Sequence, residues 1–463
     1  MNTTRSILYK KWLYYLVVIT IGLLGTVNMF FYALVPIWFV LLIVFQLKLS
    51  ELQNYLWWII VISIFFGAYL SIPGHESFYL FRFVLPVYLV IFFMNNKTDI
   101  KRFWTYSYYL FLLSGYLLAS ICSVFLADSK VLGVRYCYFI FEIVCMFFIC
   151  FYNLKSKKTI YQFARLATYI FVLNIVIGLI EVKTGMHMKL SAAKVYVTTT
   201  IANQPTGFLY NPNDFALFLN ILYPIVILNL YKLKKRWFVI SYLVLTSATA
   251  YVIISTYSRI GMLCFAISVL VTSSYIFREK LIYFSVTLFP ICLFSAMYSP
   301  LGKHLTDIVY SSFTDKDTST SARENLYKLL WKICKDSHFL GVGAGNVPPK
   351  LNALILGYTS DSDAYTTGHN FWLETLANIG IVGFVFFIGI LALLLYQIIK
   401  RISTNPPIYG IVALLIWLSF VGSTIALSTI LEKRFLWFVL AVSITMIQMD
   451  VFSKEEKNIA RRR

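Results

Sequence analysis

Apolar residues run through this chain in long stretches, broken only by short polar segments. The stretches lie near 12–28, 30–47, 55–72, 78–94, 104–125, 134–152, 163–181, 215–231, 237–256, 260–277, 281–298, 370–399, 408–426 and 435–452. Each is continuous for about 17 to 28 residues, which suits a helix crossing a bilayer and not the alternation over about 10 residues of a barrel strand. The pattern predicts an all-α polytopic membrane protein of about 14 transmembrane helices. The basic residues 1–11 precede an apolar run too long for a cleavable leader, so the first helix is expected to remain as an anchor.

Composition agrees with this reading. With 59% hydrophobic and 13% charged residues and a mean hydropathy of +0.75, a soluble globular chain is excluded. The net charge of +20 does not imply nucleic acid, because the lysines and arginines form short clusters between apolar runs and so write topology. Clusters at Arg5–Lys11, Lys48, Lys97–Arg102, Lys155–Lys158, Lys232–Arg236, Arg278–Lys280, Lys400–Arg401 and Lys454–Arg463 occupy every second connection. Both termini are therefore expected in the cytoplasm. Segments 182–214, 256–259, 299–369 and 427–434 then fall outside it. The chain divides into 1–298 with helices 1 to 11, a large extracytoplasmic loop at 299–369 carrying the candidate catalytic residues, and 370–463 with three more helices and a basic cytoplasmic tail.

Polar chemistry gathers in that loop. Ser321 and Glu324 have capping-box spacing, so a helix is expected from there to about Lys335, with Arg323 in its first turn. Free N–H groups and a guanidinium together suit phosphate oxygens, although a solvated arginine on an amphipathic helix fits the same pattern. Leu326, Leu329, Leu330 and Ile333 give that helix an apolar stripe, and the glycines of GVGAGN, 341–346, end it. Segment 358–368 has the composition of a mobile flap, in which Asp361 and Asp363 form a solvated turn. His369, before the apolar run from Phe371, is either a capping residue or a base able to take a proton from a hydroxyl.

Elsewhere the seven cysteines contain no CxxC pair, and the five histidines have no ligand spacing, so no metal site is expected. Arg82 and Glu142 lie inside apolar runs, where a structural ion pair or snorkelling competes with a role in holding phosphate. Glu432, Lys433 and Arg434 have the look of interfacial charges.

Arg323, Trp331, GVGAGN and then HNFWLETLANIGIVG from His369 resemble the signature of the O-antigen ligase and polymerase family. GFLYNPNDFA at 207–216 and TYSRIG at 256–261 resemble two further motifs of that family, so the likeness spans roughly 204–390. The resemblance implies a GT-C-like membrane glycosyltransferase in the bacterial cytoplasmic membrane, with its active site on the extracytoplasmic face. Its donor would be an undecaprenyl pyrophosphate-linked oligosaccharide and its acceptor a glycan hydroxyl, with the bilayer and a chain-length regulator as further partners and with no cofactor, metal or nucleic acid. His369 would be the general base of an inverting displacement, and Arg259 and Arg323 would bracket the pyrophosphate. Arg82, Asn211, Asn213, Asn370 and Glu374 would contact carrier or acceptor. One departure is visible: Gln204, Pro205 and Thr206 stand where many relatives carry an arginine, which leaves Arg82 or Lys194 as stand-ins. The preferred reading is a polymerase of surface-polysaccharide repeat units, with a ligase to lipid A core as the alternative. A flippase would call for an internal repeat and charges lining a central path, and neither is visible.

Overall fold

The computed structural model describes residues 48–72, 75–95, 104–195, 203–277, 298–299, 302–303, 306–310, 318–356, 367–403, 408–427 and 430–461. Expected spans 12–28 and 30–47, and 281–298 as far as residue 297, fall outside the described residues, as do residues 358–366 of the expected 358–368 flap with its two aspartates. The chain forms two compact units, one of Met1–Ser63 with Leu70–Asp99 and the other of Ile64–Tyr69 with Ile100–Arg463.

Most of helix α1 (Leu49–Phe66) and all of α2 (Leu80–Asn95) belong to the first unit. They are tied by a hydrogen bond from Gln53 Nε2 to Tyr88 Oη, 3.3 Å. Between them β1 (Ser71–Ile72) and β2 (His75–Tyr79) pair antiparallel, a small hairpin in a fold expected to be purely helical.

Among the described residues of the second unit are eleven longer helices: α3 (Ser107–Ser123), α4 (Lys130–Asn153), α5 (Lys157–Thr184), α6 (Pro212–Leu230), α7 (Lys235–Ser255), α8 (Arg259–Phe277), α9 (Thr318–Asp336), α10 (Val347–Leu356), α11 (Phe371–Ile402), α12 (Ile408–Ala426) and α13 (Arg434–Arg461). Among the described residues nine helices are long and apolar enough to cross a membrane, and two further apolar helices, Leu80–Met94 and Arg434–Gln448, are shorter. The chain is a multi-pass membrane protein. α6 is apolar all round and nearly every residue in it is buried, which makes it the central helix, packed against α5 and α12.

Contacts between helix ends gather the candidate chemistry at one end of this bundle. There the turn after α3 meets the loop after α9 through Ser129 N–H donating to Asn346 Oδ1, 2.7 Å. At the same end the start of α6 meets the start of α13 through an ion pair of Asp214 with Lys433. The start of α11 meets the end of α12 through Trp372 Nε1 donating to Thr424 Oγ1, 2.8 Å.

The apolar run expected as one span over 370–399 is broken. Gly380 has φ 68 and ψ −174, so α11 is two helices in sequence. The break strands the C=O of Ala377 and the N–H of Ile381, which would otherwise bond to each other. The glycine loop satisfies both, since Val342 N–H donates to Ala377 and Ile381 N–H donates to the Phe339 carbonyl, at 2.8 and 2.9 Å. GVGAGN therefore does more than end α9: it docks the loop onto the bundle. Beyond the break, 381–402 is about 33 Å long at 1.5 Å per residue and still crosses a hydrocarbon core of about 30 Å.

Arg434 and Lys433 differ from their expected interfacial role. Arg434 Nε donates to Glu142 Oε2 at 3.0 Å, and its Nη2 reaches the same oxygen. Both side chains are at least nine-tenths buried. Glu142→Gln would leave the guanidinium buried without its counter-charge, at an expected cost of about 3–5 kcal/mol. A lowered thermal unfolding midpoint of the solubilised protein checks this. Removing both charges in Glu142→Gln with Arg434→Met is expected to recover much of the loss.

Candidate functional site

Helix α9 begins at Thr318, three residues ahead of Ser321, so the expected capping box lies inside the helix. Arg323 consequently sits in the second turn, beyond the first-turn residues whose N–H groups lack partners within the helix. Glu324 instead pairs with Lys328 one turn on, at 2.9 Å on the exposed face. The apolar stripe does what its spacing predicts. Leu330, Ile333 and Cys334 are buried against Val347 and Leu351 of α10 and against Leu376 and Ala377 of α11. That packing sets the helix carrying Arg323 against the one that follows His369. Burial pushes the Cys334 thiol up to about 11, so it is an inert core residue.

His369 occupies a left-handed turn, φ 51, a conformation that histidine tolerates better than most residues. Three contacts hold the turn. The Tyr327 hydroxyl, one helical turn beyond Arg323, donates to the His369 carbonyl at 3.1 Å. Asn370 Oδ1 caps α11 by accepting from the N–H groups of Trp372 and Leu373, at 3.1 and 3.2 Å. The Gly368 N–H donates to the Glu374 carboxylate. All three leave the imidazole ring itself outside the scaffold.

Burial, and after it the positive field of Arg323, lowers the His369 pKa below its ordinary 6.5. The ring is therefore neutral near pH 7 and able to accept a proton. Arg323 and His369, 46 positions apart in sequence, are thus within electrostatic reach of each other. Removing the guanidinium in Arg323→Ala takes away one of the two influences that lower this pKa. The pKa is expected to rise toward 6.5, and the rate at which diethyl pyrocarbonate modifies His369, which tracks the neutral ring, should fall off at a higher pH than in the parent.

Arg259 opens α8 directly after the tight turn Thr256–Ser258, in which Tyr257 has φ 58. Ser258 Oγ caps the helix by accepting from the Gly261 N–H at 3.3 Å. Arg259, not Arg323, is thus the arginine set at a helix N-terminus. Asn220 of α6 clasps the same turn, donating to the Gly261 carbonyl at 2.9 Å. A Cβ on Gly422 of α12 would lie 3.5 Å from Ile260 Cγ2. Two residues on, Thr424 takes the hydrogen bond from Trp372, so the turns carrying Arg259 and His369 both adjoin α12 near its C-terminal end.

Two arginines and a neutral histidine now stand at one end of a helical bundle, on segments in the order expected of the family. Residues 242–388 match the O-antigen ligase family. The match includes Arg259, Arg323, the glycine loop and His369, so the resemblance read from the sequence is shown. The chain is also 27% identical over 407 residues to the teichuronic acid biosynthesis protein TuaE of Bacillus subtilis (strain 168), across 83% of this chain and 81% of that one. The two matches support a role as polysaccharide polymerase or ligase, and the family implies a polyprenyl-linked glycan donor and a glycan acceptor in a membrane.

The family's Asn-Pro-Asn segment, at 207–216, precedes the matched region. Asn211 caps α6 by accepting from the Asn213 N–H at 2.8 Å, and Pro212 takes the first helical position, where no N–H is needed. Asn213 itself is partly exposed in that first turn. Asp214 is committed to its ion pair with Lys433. The arginine-free stretch before it is pinned by a carboxylate the sequence reading passed over. Glu181 accepts from the N–H groups of Thr206 and Gly207 at 2.7 and 2.8 Å, and from the Thr206 hydroxyl at 3.3 Å. Lys194 is exposed on a single helical turn, Ala192–Val195. Arg82 belongs to the first unit, where its guanidinium stacks 4.9 Å over the Tyr79 ring.

Proposed function

We propose that this chain is a polymerase of surface-polysaccharide repeat units, moving the growing glycan from a polyprenyl pyrophosphate to a sugar hydroxyl of an incoming unit. The observation that carries the reading is the pairing of His369, neutral near pH 7, with Arg323 on one rigid scaffold. The imidazole takes the proton of the acceptor hydroxyl as its oxygen attacks the anomeric carbon. As that bond forms, the bond from carbon to phosphate oxygen breaks and the diphosphate departs with the electron pair. Arg259 and Arg323 hold the charge that develops on it, in a setting where fixed cations act more strongly than in water. Attack opposite the leaving group inverts the anomeric centre. The leaving group is already activated, so the step requires a base and cations from the protein and nothing more. A relative named for the biosynthesis of teichuronic acid favours chain growth over transfer to lipid A core.

A deletion strain tests the choice of polymerase. Single-repeat products on the carrier or on the cell surface are the expected outcome, whereas carrier-bound long chains would overturn it in favour of a ligase. Complementation with Arg323→Lys is expected to restore little polymer, because lysine lacks the planar fork that grips two phosphate oxygens. Full-length polymer from that variant would remove the bidentate role.

A further inference from the structure

A cavity of about 270 Å³ opens beside the His369 turn, and no step of the transfer described above uses it. Its floor is the first two turns of α11, through Phe371, Glu374 and Asn378. Its opposite walls come from α4, through Leu132, Arg135, Tyr136 and Phe139, and from the turn before α13, through Ile430, Leu431 and Glu432. Thr367, two residues before His369, lines the same space. The volume lies just under the roughly 300–1,000 Å³ of pockets for drug-sized ligands, which suits one sugar ring and not a chain.

The polar groups facing this space are unevenly satisfied. Glu374 accepts from the Gly368 N–H through Oε1, which leaves Oε2 for a ligand. The Tyr136 hydroxyl is buried away from this space, beside those of Tyr116 and Thr375. The apolar walls, with the Phe139 and Phe371 rings, match the C–H face of a pyranose. Arg135 at the rim is engaged with Glu432 at 3.4 Å, so the cavity offers no free cation of its own.

We infer that this cavity is the acceptor subsite and that it takes the terminal sugar of the incoming unit as an uncharged hexose or N-acetylhexosamine, held by Glu374 and Asn378 with a hydroxyl presented to His369. The assignment rests on the reading of His369 as the base. A uronic acid is disfavoured in this position, because its carboxylate would be buried in a largely apolar space with no free cation to meet it. The donor sugar belongs nearer the diphosphate, on the Arg323 side.

The test uses full-length Thr367→Cys in lipid nanodiscs and follows maleimide labelling of that position, with the parent as background for the native thiols. Methyl N-acetylglucosaminide or methyl glucoside, at twice its dissociation constant, is expected to slow labelling about threefold, as 1 + [L]/Kd requires. Methyl glucuronide is expected to leave it unchanged. Adding Glu374→Ala is expected to weaken protection by the neutral glycosides. Equal protection by the glucuronide, or none by any glycoside, overturns the inference. Protection by the carrier-linked unit alone assigns the cavity to the donor and likewise overturns it. None of these readouts depends on turnover, so chain growth that survives His369→Ala would refute the proposed chemistry separately.

Discussion

Chain growth falls by about 10²–10⁴-fold when His369 is replaced, the range expected for loss of a positioned general base. Two variants separate the chemistry from the fold. Alanine removes the ring but also sits uneasily at φ 51, where a residue with a Cβ incurs a strain of about 1–2 kcal/mol. Asparagine is among the residues most often found in this conformation, so His369→Asn keeps the turn and still lacks a base. The hydrogen bond from Tyr327 goes to the backbone carbonyl and survives both changes. His369→Asn is therefore expected to insert and unfold like the parent while failing to elongate lipid-linked repeat units in reconstituted membranes. Normal polymer from it would end the assignment of His369 as base. The parent's rate is expected to drop on the acid side only below pH 6.5, as the imidazole takes up its proton with a pKa lowered by burial and by Arg323.

Much of this arrangement is written in short-range signals. Helix spans follow from apolar run length, and eleven of the fourteen expected runs coincide with helices in the described residues. The start of α6 follows from Asn211 and Pro212, a side-chain acceptor followed by a residue that needs no N–H. The stripe Leu326 to Ile333 correctly foretells that α9 rests on apolar neighbours. What was not legible depends on partners distant in the chain. Ser321 and Glu324 have the spacing of a cap, yet the helix continues upstream to Thr318. Arg434 beside an apolar run resembles an interfacial anchor until Glu142, 292 positions earlier, is found against it. Gly380 sits in an unbroken apolar run, and only the carbonyl of Leu340 pressed against its Cα explains why the helix stops there and starts again. The cavity was invisible for the same reason, since its walls come from three separate parts of the chain.

Gly343→Ala is expected to uncouple the loop from the bundle altogether. At φ +96 any side chain is strained, and a Cβ there would lie 2.3–2.6 Å from the Cα, N and Cβ of Ala127, which are backbone or rigidly attached to it. Neither side can yield without moving the turn between α3 and α4, so the loop must lift. Lifting it breaks the bonds that heal the gap in α11, Val342 to Ala377 and Ile381 to Phe339, together with the pair between Asn346 and Ser129. Several buried backbone groups lose their partners at once, and the expected loss is about 3 kcal/mol or more. The measured signature is a lowered unfolding midpoint accompanied by lost polymer, which distinguishes it from His369→Asn, where polymer alone is lost. Gly389→Ala in the same helix is the matched control. Its added Cβ meets only the flexible end of Leu112, at 2.9 Å, and alanine favours a helix, so a small change is expected there. Equal damage from both substitutions would mean that general tightness of packing along α11, and not the docked glycine loop, sustains the site. Damage confined to Gly343 would tie the geometry around His369 to that single close approach of two backbones.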